Sequence, residues 1–233
     1  MCGRFSQAAR MDQYLLELEF ITRAVHGDPP ATARYNVAPT TRVPLLRADA
    51  QGLHIDTARW GWSPAWAADK RPAPINARVE TVASSRFFKA LWPSGRVLVP
   101  ADGWYEWVKN PAQPKLKQPW FIRLNNGAPL FFAGLAQVSG DHDGFVIITD
   151  ASDQGMVDIH DRRPVVLAPD AARAWLDPRL DAAQAEALLR HEGRPVADFQ
   201  WYRVGREVGN VRNEGPGLIA PLSTPDSAGD LFM

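Results

Sequence analysis

Residues 96–108 read RVLVPADGWYEWV and contain two apolar runs separated by four residues. The runs, at 96–99 and 104–108, are short, rich in β-branched and aromatic side chains and bounded by turn residues, which is typical of β-strands. Pro100 and Gly103 stand between them and favour a turn. This stretch therefore predicts two short strands and indicates a β-rich fold.

The same pattern recurs along the chain, so most of the predicted elements are short strands. The further predicted strands are residues 43–47, 53–62, 120–124, 130–137, 145–149 and 164–168. Residues 49–52 are predicted to form the turn between the first two of these. Loops are predicted at residues 34–44 and 63–74, where prolines interrupt both regular periods, and the second of these loops is rich in tryptophan.

Four segments show helical patterns instead. One begins after Ser6, which we interpret as its N-cap, and places Met11, Tyr14, Leu15 and Leu18 on one face. The other predicted helices are residues 85–91, 171–176 and 182–190, with Asp170 and Asp181 as the caps of the last two.

Many short strands and few helices predict an α+β fold, in which a few peripheral helices surround a curved, mostly antiparallel, barrel-like β-sheet. The chain has 233 residues and is 45% hydrophobic. That is enough for one substantial core, so we expect a single domain over residues 1–221. Residues 222–233 are expected to form a flexible C-terminal tail.

The composition restricts the classes of partner. No stretch approaches the roughly 20 apolar residues of a membrane span, and no secretory leader pattern is visible, so we expect a cytoplasmic protein. The formal net charge is zero, which argues against binding nucleic acid by bulk electrostatics alone but allows a local basic patch. Arginine outnumbers lysine and suits phosphate contacts, while the nine tryptophans either fill the core or offer stacking surfaces.

Cys2 is the only cysteine, which excludes an intramolecular disulfide and a cysteine-built zinc site. Removal of Met1 would make Cys2 the N-terminal residue, whereas retained Met1 would lock its amine in a peptide bond. A free α-amine has a reference pKa of about 8, against about 10.4 for lysine, so more of it is neutral and able to attack an aldehyde. The adjacent thiol can then close the imine into a five-membered thiazolidine.

Seven sequence blocks follow one another in a fixed order. They are MCGRF (1–5), YNVAPT (35–40), WGW (60–62), INARVET (75–81), VPADGWYEW (99–107), FAGL (132–135) and IHDRRPV (159–165). In this order they resemble the SRAP family, the SOS-response-associated peptidase or abasic-site-processing proteins. The resemblance covers about Cys2 to Pro221 and is more specific than any single block.

The resemblance implies that the mature N-terminal cysteine forms a thiazolidine with the ring-opened aldehyde of an abasic site in single-stranded DNA. The crosslink would shield the lesion during the DNA damage (SOS) response. Catalytic roles are implied for Cys2, Asn76, Glu106 and His160, and AP-lyase and autoproteolytic activities are further expectations. No cofactor, metal or membrane is implied, and we expect a monomer that is nucleoid-associated at lesions.

Glu106 and His160 have side chains suited to the proton transfers of this reaction. Flanking aromatic residues can desolvate Glu106 and raise its pKa, so that it moves protons as the amine attacks and water leaves. His160 can assist opening of the sugar ring, although protonation on the 3′-phosphate side and reversal of the crosslink stay open. Without the resemblance, Glu106 would be a solvent-facing strand residue and His160 a structural histidine.

DNA contacts are predicted where a basic groove and stacking surfaces meet. The predicted DNA-binding residues are Arg4, Arg78, Arg162, Pro39 and Trp66, and the strand end at Trp60–Trp62 is a further candidate stacking surface. Asn76 can orient the aldehyde oxygen or hold the N-terminal amine, and Arg78 shares its face if the segment is extended. Thr149, at a predicted strand end, is expected to support His160.

Arg163 departs from the family pattern, in which we expect a methionine after the His-Asp-Arg run. Its charge is expected either to tighten a phosphate contact or to point into solvent. Two rival functions stay open: a cysteine-dependent autoprotease that uses Cys2 and Glu106, and a module that binds single strands without covalent chemistry. A third, hydrolysis of small amides by Cys2 and His160, has no small-molecule pocket pattern to support it.

Overall fold

The computed structural model describes residues 2–19, 25–27, 33–67, 72–110, 113 and 115–222. The strands in this part of the chain are β1 (Phe5–Gln7), β2 (Val25–His26), β3 (Arg34–Val37), β4 (Arg42–Asp49), β5 (Gly52–Arg59), β6 (Asn76–Arg78), β7 (Arg96–Ala101), β8 (Gly103–Lys109), β9 (Lys117–Leu124), β10 (Leu130–Gln137), β11 (Gly144–Ala151), β12 (Arg162–Pro164) and β13 (Phe199–Arg203). The helices are α1 (Met11–Glu17), α2 (Pro169–Leu176) and α3 (Ala182–His191). None of these helices has the length and apolar character needed to cross a bilayer.

The strands form two mostly antiparallel sheets. The smaller sheet has the order β13-β9-β8-β1-β3, and the larger has the order β12-β11-β10-β7-β4-β5-β2. Strand β6 pairs in parallel with β11, and β2 pairs in parallel with β5. The predicted α+β class is confirmed. The barrel-like arrangement is not, because neither sheet closes on itself within the described residues.

Both faces of the larger sheet are buried at β7, β10 and β11, which explains why these strands are almost continuously apolar. Successive side chains alternate between the faces, so Leu98 and Phe131 join a cluster that includes residues of α2 and α3. Their neighbours Val97 and Phe132 join a second cluster, together with Trp104 of the smaller sheet. The order of layers is therefore helices, larger sheet and smaller sheet. We call this second cluster the inter-sheet cluster.

The outer face of the smaller sheet is covered by the C-terminal part of the chain. Tyr105 lies on this face in a third apolar cluster with Val208 and Leu218. These two residues belong to the short 3-10 turns Arg206–Gly209 and Pro216–Ile219. The C-terminal segment thus buries the back of the strand that carries Glu106.

The first helix begins later than the sequence predicts. Ser6 lies in β1, and its hydroxyl donates to Asp102 at 2.7 Å instead of capping a helix. Helix α1 begins only at Met11. The predicted apolar face is confirmed, since Met11, Tyr14 and Leu18 are buried.

Several other boundaries need correction. The predicted loop at residues 34–44 contains β3 and the start of β4. Pro44 lies opposite Thr57 of β5, and its carbonyl oxygen accepts from Nε2 of Gln7. The N–H that proline lacks would point to the same side as this carbonyl, away from β5, so the β4–β5 ladder is not interrupted. Residues 85–91 form successive turns rather than a regular helix. The strand predicted at 164–168 is shorter and earlier, as β12.

The two C-terminal helices occur where they were predicted. Asp181 caps α3 as predicted, since its carboxylate accepts from the backbone N–H of Gln184 at 2.8 Å. Asp170 does not cap α2, which begins at Pro169 and therefore has Asp170 in its first turn. The predicted tail lies outside the described residues after residue 222.

Gly103 allows β8 to approach β9 closely. A Cβ at this position would lie 2.4 Å from a ring carbon of Phe121 and 2.5 Å from the carbonyl oxygen of Ile122. Gly103→Ala is therefore expected to lower the free energy of unfolding by about 1–3 kcal/mol. Urea unfolding would measure this loss. Gly209→Ala is the matched control, because no described heavy atom lies within 4 Å of its added carbon; equal losses in both variants would contradict the packing argument.

Candidate active site

Cys2 precedes β1 and is completely buried in the inter-sheet cluster. Phe5 anchors this segment, because its ring packs edge-on against Trp60 with the ring centroids 5.0 Å apart. The backbone N–H of Tyr105 donates to the carbonyl oxygen of Arg4 at 2.9 Å. The residues that follow Cys2 therefore run alongside β8.

Glu106 lies on β8 and faces the inter-sheet layer, on the same side of the strand as Trp104. It is only 4% exposed. Burial, with a smaller contribution from the charge of Asp161, raises the pKa of Glu106 to about 7. Burial and then the nearby Glu106 carboxylate also raise the pKa of the Cys2 thiol far above its usual range. The two side chains are thus electrostatic neighbours in a dry environment.

Asn76 connects the larger sheet to the N-terminal segment. It opens β6, whose parallel pairing with β11 places Asn76 opposite Ile147. Its Nδ2 donates to the carbonyl oxygen of Cys2 at 2.9 Å. Its Oδ1 is buried and has no hydrogen-bond partner among the described residues. Asn76 therefore fixes the Cys2 backbone and keeps one acceptor for another donor.

His160 follows the short 3-10 helix Gln154–Asp158 and is partly exposed. Its Nδ1 accepts from the backbone N–H of Arg162 at 3.0 Å and lies 2.7 Å from a carboxylate oxygen of Asp161. The first contact suits a neutral ring protonated on Nε2, and the second suits a proton on Nδ1. Burial lowers the pKa of His160, although Asp161 opposes this shift, so we assign the neutral form.

Arg162 is held by acceptors of the protein itself. It forms a two-pronged ion pair with Glu80 and donates from Nη2 to the carbonyl oxygen of Thr149 at 2.6 Å. The hydrogen bonds from Arg162 lower the pKa of Glu80 to about 2. Thr149 thus supports His160 only indirectly, through the residue whose backbone N–H reaches the imidazole.

Arg4 and Arg78 differ in whether their guanidinium groups already donate to acceptors of the protein. Nη1 of Arg4 donates to Oδ1 of Asn36 at 2.7 Å and to the carbonyl oxygen of Val208 at 2.8 Å. The Arg4 guanidinium also lies 5.6 Å from the ring centroid of Trp107. Arg78 ends β6, is exposed, and forms no ion pair with any described residue. Of the two, Arg78 is the cation open to a new partner.

Some of the predicted stacking residues are buried in the core, and others are exposed. Trp60 and Trp62 are buried, so neither is a stacking platform. Trp66 is 51% exposed, and the guanidinium of Arg86 lies 5.2 Å from its ring centroid. Pro39 lies half-buried in the turn between β3 and β4.

Arg163 points into the protein. It is 9% exposed, its Nη1 donates to the carbonyl oxygen of Arg194 at 2.8 Å, and its guanidinium lies over Phe199. Burial lowers the pKa of Arg163. The expectation that Arg163 faces solvent is wrong, and its burial leaves little access for a phosphate.

The structure brings Cys2, Asn76 and Glu106 together around the N-terminal segment. His160 belongs to the same neighbourhood, since the charge of Asp161 acts on both Glu106 and His160. Sequence reasoning missed Glu80 as the partner of Arg162. Glu80 lies inside the INARVET block, but no local pattern connects it to an arginine 82 positions away.

Comparison with known proteins supports a relationship over nearly the whole chain. A family model described as SOS response associated peptidase (SRAP) matches residues 1–211. The abasic site processing protein YedK of Escherichia coli K12 is 47% identical over 227 residues, which cover 95% of this chain and 100% of YedK. The abasic site processing protein YoaM of Bacillus subtilis is 32% identical, with 94% and 97% covered.

A solved structure has a similar fold. A phage-related protein from Bordetella bronchiseptica superposes with a TM-score of 0.75 and 38% sequence identity. The match covers 88% of this chain and 95% of the other. The layered arrangement of sheets and helices is therefore shared with an experimentally determined structure.

Proposed function

Because the chain belongs to the SOS response associated peptidase (SRAP) family, we propose that it processes abasic sites in single-stranded DNA by forming a covalent thiazolidine crosslink through Cys2 after removal of Met1. One observation carries the proposal. Cys2 is buried with its carbonyl oxygen held by Asn76, and the buried Glu106 is close enough for its charge to raise the pKa of the Cys2 thiol. An aminothiol supplies the two nucleophiles for aldehyde capture, and a nearby titratable carboxylate can speed the proton transfers.

The proposed reaction has three steps. The neutral α-amine of Cys2 adds to the aldehyde carbon of the ring-opened sugar and gives a carbinolamine. Loss of one water gives the imine. The Cys2 sulfur then bonds to the imine carbon, and its proton moves to nitrogen, which closes the thiazolidine ring. The overall change is loss of one water, and no oxidant or reductant takes part.

Glu106 is suited to move the protons in these steps. Its pKa of about 7 means that the protonated and ionised forms are both populated near neutrality. The carboxylate can accept the proton released by the attacking amine, and the acid can return it to the departing hydroxyl. A fully exposed glutamate would stay ionised and could not donate at that pH.

His160 is suited to open the sugar ring. At rest its Nδ1 accepts the backbone N–H of Arg162, and its neutral ring carries the proton on Nε2. A neutral imidazole is too weak an acid for this step, so His160 first takes up a second proton, and the imidazolium then donates from Nε2 to the ring oxygen. Asp161 stabilises the imidazolium form once a second proton arrives. Asn76 keeps an acceptor free for the N-terminal amine.

The approach of the DNA is supported by a few exposed groups rather than by the net charge. Arg78 offers an uncommitted guanidinium two residues from Asn76, and Trp66 offers half of its surface for stacking. Arg4 and Arg162 already serve protein acceptors, so their contacts to phosphate would use only their remaining donors. Pro39, in the turn between β3 and β4, is the last of the proposed DNA contacts.

The autoprotease and lyase alternatives use the same terminus in different ways. A cysteine protease needs an accessible thiolate, but burial raises the pKa of the Cys2 thiol and disfavours that form. Thiazolidine closure needs no preformed thiolate, because the thiol proton moves to the imine nitrogen as the sulfur bonds to the imine carbon. β-Elimination would branch from the imine, before the sulfur closes the ring.

Replacement of the thiol tests the proposed crosslink. Cys2→Ala keeps the α-amine but cannot close the ring, so its heat-stable adduct with a uracil-glycosylase-treated oligonucleotide should disappear from a denaturing gel. Borohydride should restore a band by reducing the remaining imine. A heat-stable band of wild-type intensity from Cys2→Ala without reductant would refute the proposal.

The pKa of Glu106 predicts the pH dependence of the reaction. Since its ionised form accepts the proton of the amine, the wild-type rate should rise as the pH passes upward through about 7. Glu106→Gln should slow crosslinking by about 10²–10⁴-fold and lose this inflection, while keeping the rise near pH 8 that belongs to the amine itself. Single-turnover rates from pH 5.5 to 9 would measure both. An unchanged profile in Glu106→Gln would exclude Glu106 as the proton carrier.

Arg78 is expected to contact a phosphate. Arg78→Ala should weaken association with single-stranded DNA and reduce the slope of log Kd against log salt concentration by about 0.7. Arg190→Ala is the matched control, since Arg190 is partly exposed on α3, on the far side of the larger sheet. Fluorescence anisotropy at several salt concentrations would measure the slopes. Identical slopes for Arg78→Ala and Arg190→Ala would place the strand elsewhere.

A further inference from the structure

Asp102 receives hydrogen bonds from four groups of the N-terminal segment and α1. It lies between β7 and β8 and is only half-buried. Its Oδ2 accepts from the Ser6 hydroxyl at 2.7 Å and from the backbone N–H of Ala8 at 2.6 Å. Its Oδ1 accepts from the backbone N–H of Ala9 at 3.2 Å and from the Tyr14 hydroxyl at 2.7 Å. Each carboxylate oxygen thus binds two donors.

Phe5 anchors β1 in the inter-sheet cluster, and Nε2 of Gln7 donates to the carbonyl oxygens of Pro44 and Pro100, but the backbone pairing of β1 with its neighbouring strands is short. Strand β1 has three residues, pairs with β8 only at Phe5 and Ser6, and has an irregular register with β3. A slip of one residue in such a strand would turn every side chain to the opposite face. The backbone N–H of Asp102 also donates to the Ser6 carbonyl oxygen at 2.8 Å, so backbone and side chain hold the same residue.

We infer that Asp102 is a positioning residue that fixes the register of residues 2–9 and thereby holds the amine and thiol of Cys2 against Glu106. This inference rests on the proposed function. Within the described part of the chain, the hydrogen bonds of the Asp102 carboxylate go to Ser6, Ala8, Ala9 and Tyr14 and not to Cys2, so Asp102 is not a catalytic residue. It acts on Cys2 through the intervening strand.

The distance involved explains why this anchor matters. An extended chain rises about 3.3 Å per residue, so Cys2 lies roughly 13 Å from the anchored Ser6. A small rotation of β1 at Ser6 therefore moves Cys2 by about an ångström, and such a displacement of a reacting group can cost about 100-fold in rate. Asn76 holds the Cys2 carbonyl oxygen from the other side, but one amide hydrogen bond does not set the register of the strand.

The test compares three variants of the processed protein. Asp102→Asn places an amide nitrogen where a backbone N–H now donates, so it should release the segment. Tyr14→Phe removes one of the four donors and should act in the same direction but less strongly. Trp175→Phe is the stability control. Trp175 is fully buried on the helix side of the larger sheet, and its Nε1 donates to the carbonyl oxygen of Val97.

Two readouts separate positioning from general stability. Even if Asp102→Asn and Trp175→Phe lower Tm by the same amount, hydrogen exchange at the amides of Ala8 and Ala9 should be faster in Asp102→Asn. The single-turnover crosslinking rate of Asp102→Asn should fall by about 10–100-fold with unchanged Kd for DNA, while Trp175→Phe stays within about twofold of wild type.

The two possible failures are distinguishable. Unchanged exchange at Ala8 and Ala9 in Asp102→Asn would overturn the positioning role, whatever the DNA chemistry. A crosslinking rate within twofold of wild type, or an equal loss in Trp175→Phe, would also overturn it. If wild-type protein forms no adduct, the proposed function fails, and the exchange result alone decides whether Asp102 holds the segment.

Discussion

The burial of β1 between β3 and β8 is the constraint on which the candidate site depends. The first residues of a chain usually fray, because little apolar surface holds them down. Here Phe5 fills the layer between the sheets and contacts Trp60, so the segment cannot leave without exposing a core ring to water. Cys2 is consequently buried, although it stands next to the start of the chain.

That burial shifts the ionisable groups of the site towards their uncharged forms. Desolvation raises the pKa of Cys2 and Glu106 and lowers the pKa of His160, because each charged form loses water. The site therefore combines a protonated thiol, a carboxyl group that titrates near neutrality and a neutral imidazole. A group that titrates near neutrality can accept and release a proton at that pH. A permanently charged group cannot, and acts only through its charge.

The sequence predicts elements whose signals are local and misses relations that depend on distant pairing. Residues 130–136 are apolar because both faces of the central strands of the larger sheet are covered, and the predicted bounds 130–137 are those of β10. The resemblance to the family predicted Cys2, Glu106 and Asn76 as site residues one by one. Their proximity depends on the parallel pairing of β6 with β11, which no short-range pattern encodes. Ser6 was misread as a cap because its true acceptor, Asp102, lies 96 positions away.

The arginines show why residue type alone does not define a nucleic-acid surface. Arg163 is buried against an aromatic ring, and Arg162 is neutralised by Glu80, so both stabilise the protein around His160. Nη1 of Arg4 donates to Oδ1 of Asn36 and to the backbone carbonyl oxygen of Val208. A guanidinium without such partners can bind a phosphate directly. The others would first have to break hydrogen bonds or ion pairs within the protein. Since the net charge is zero, the proposed function would draw its attraction for DNA from individual exposed cations without an ion-pair partner among the described residues, such as Arg78.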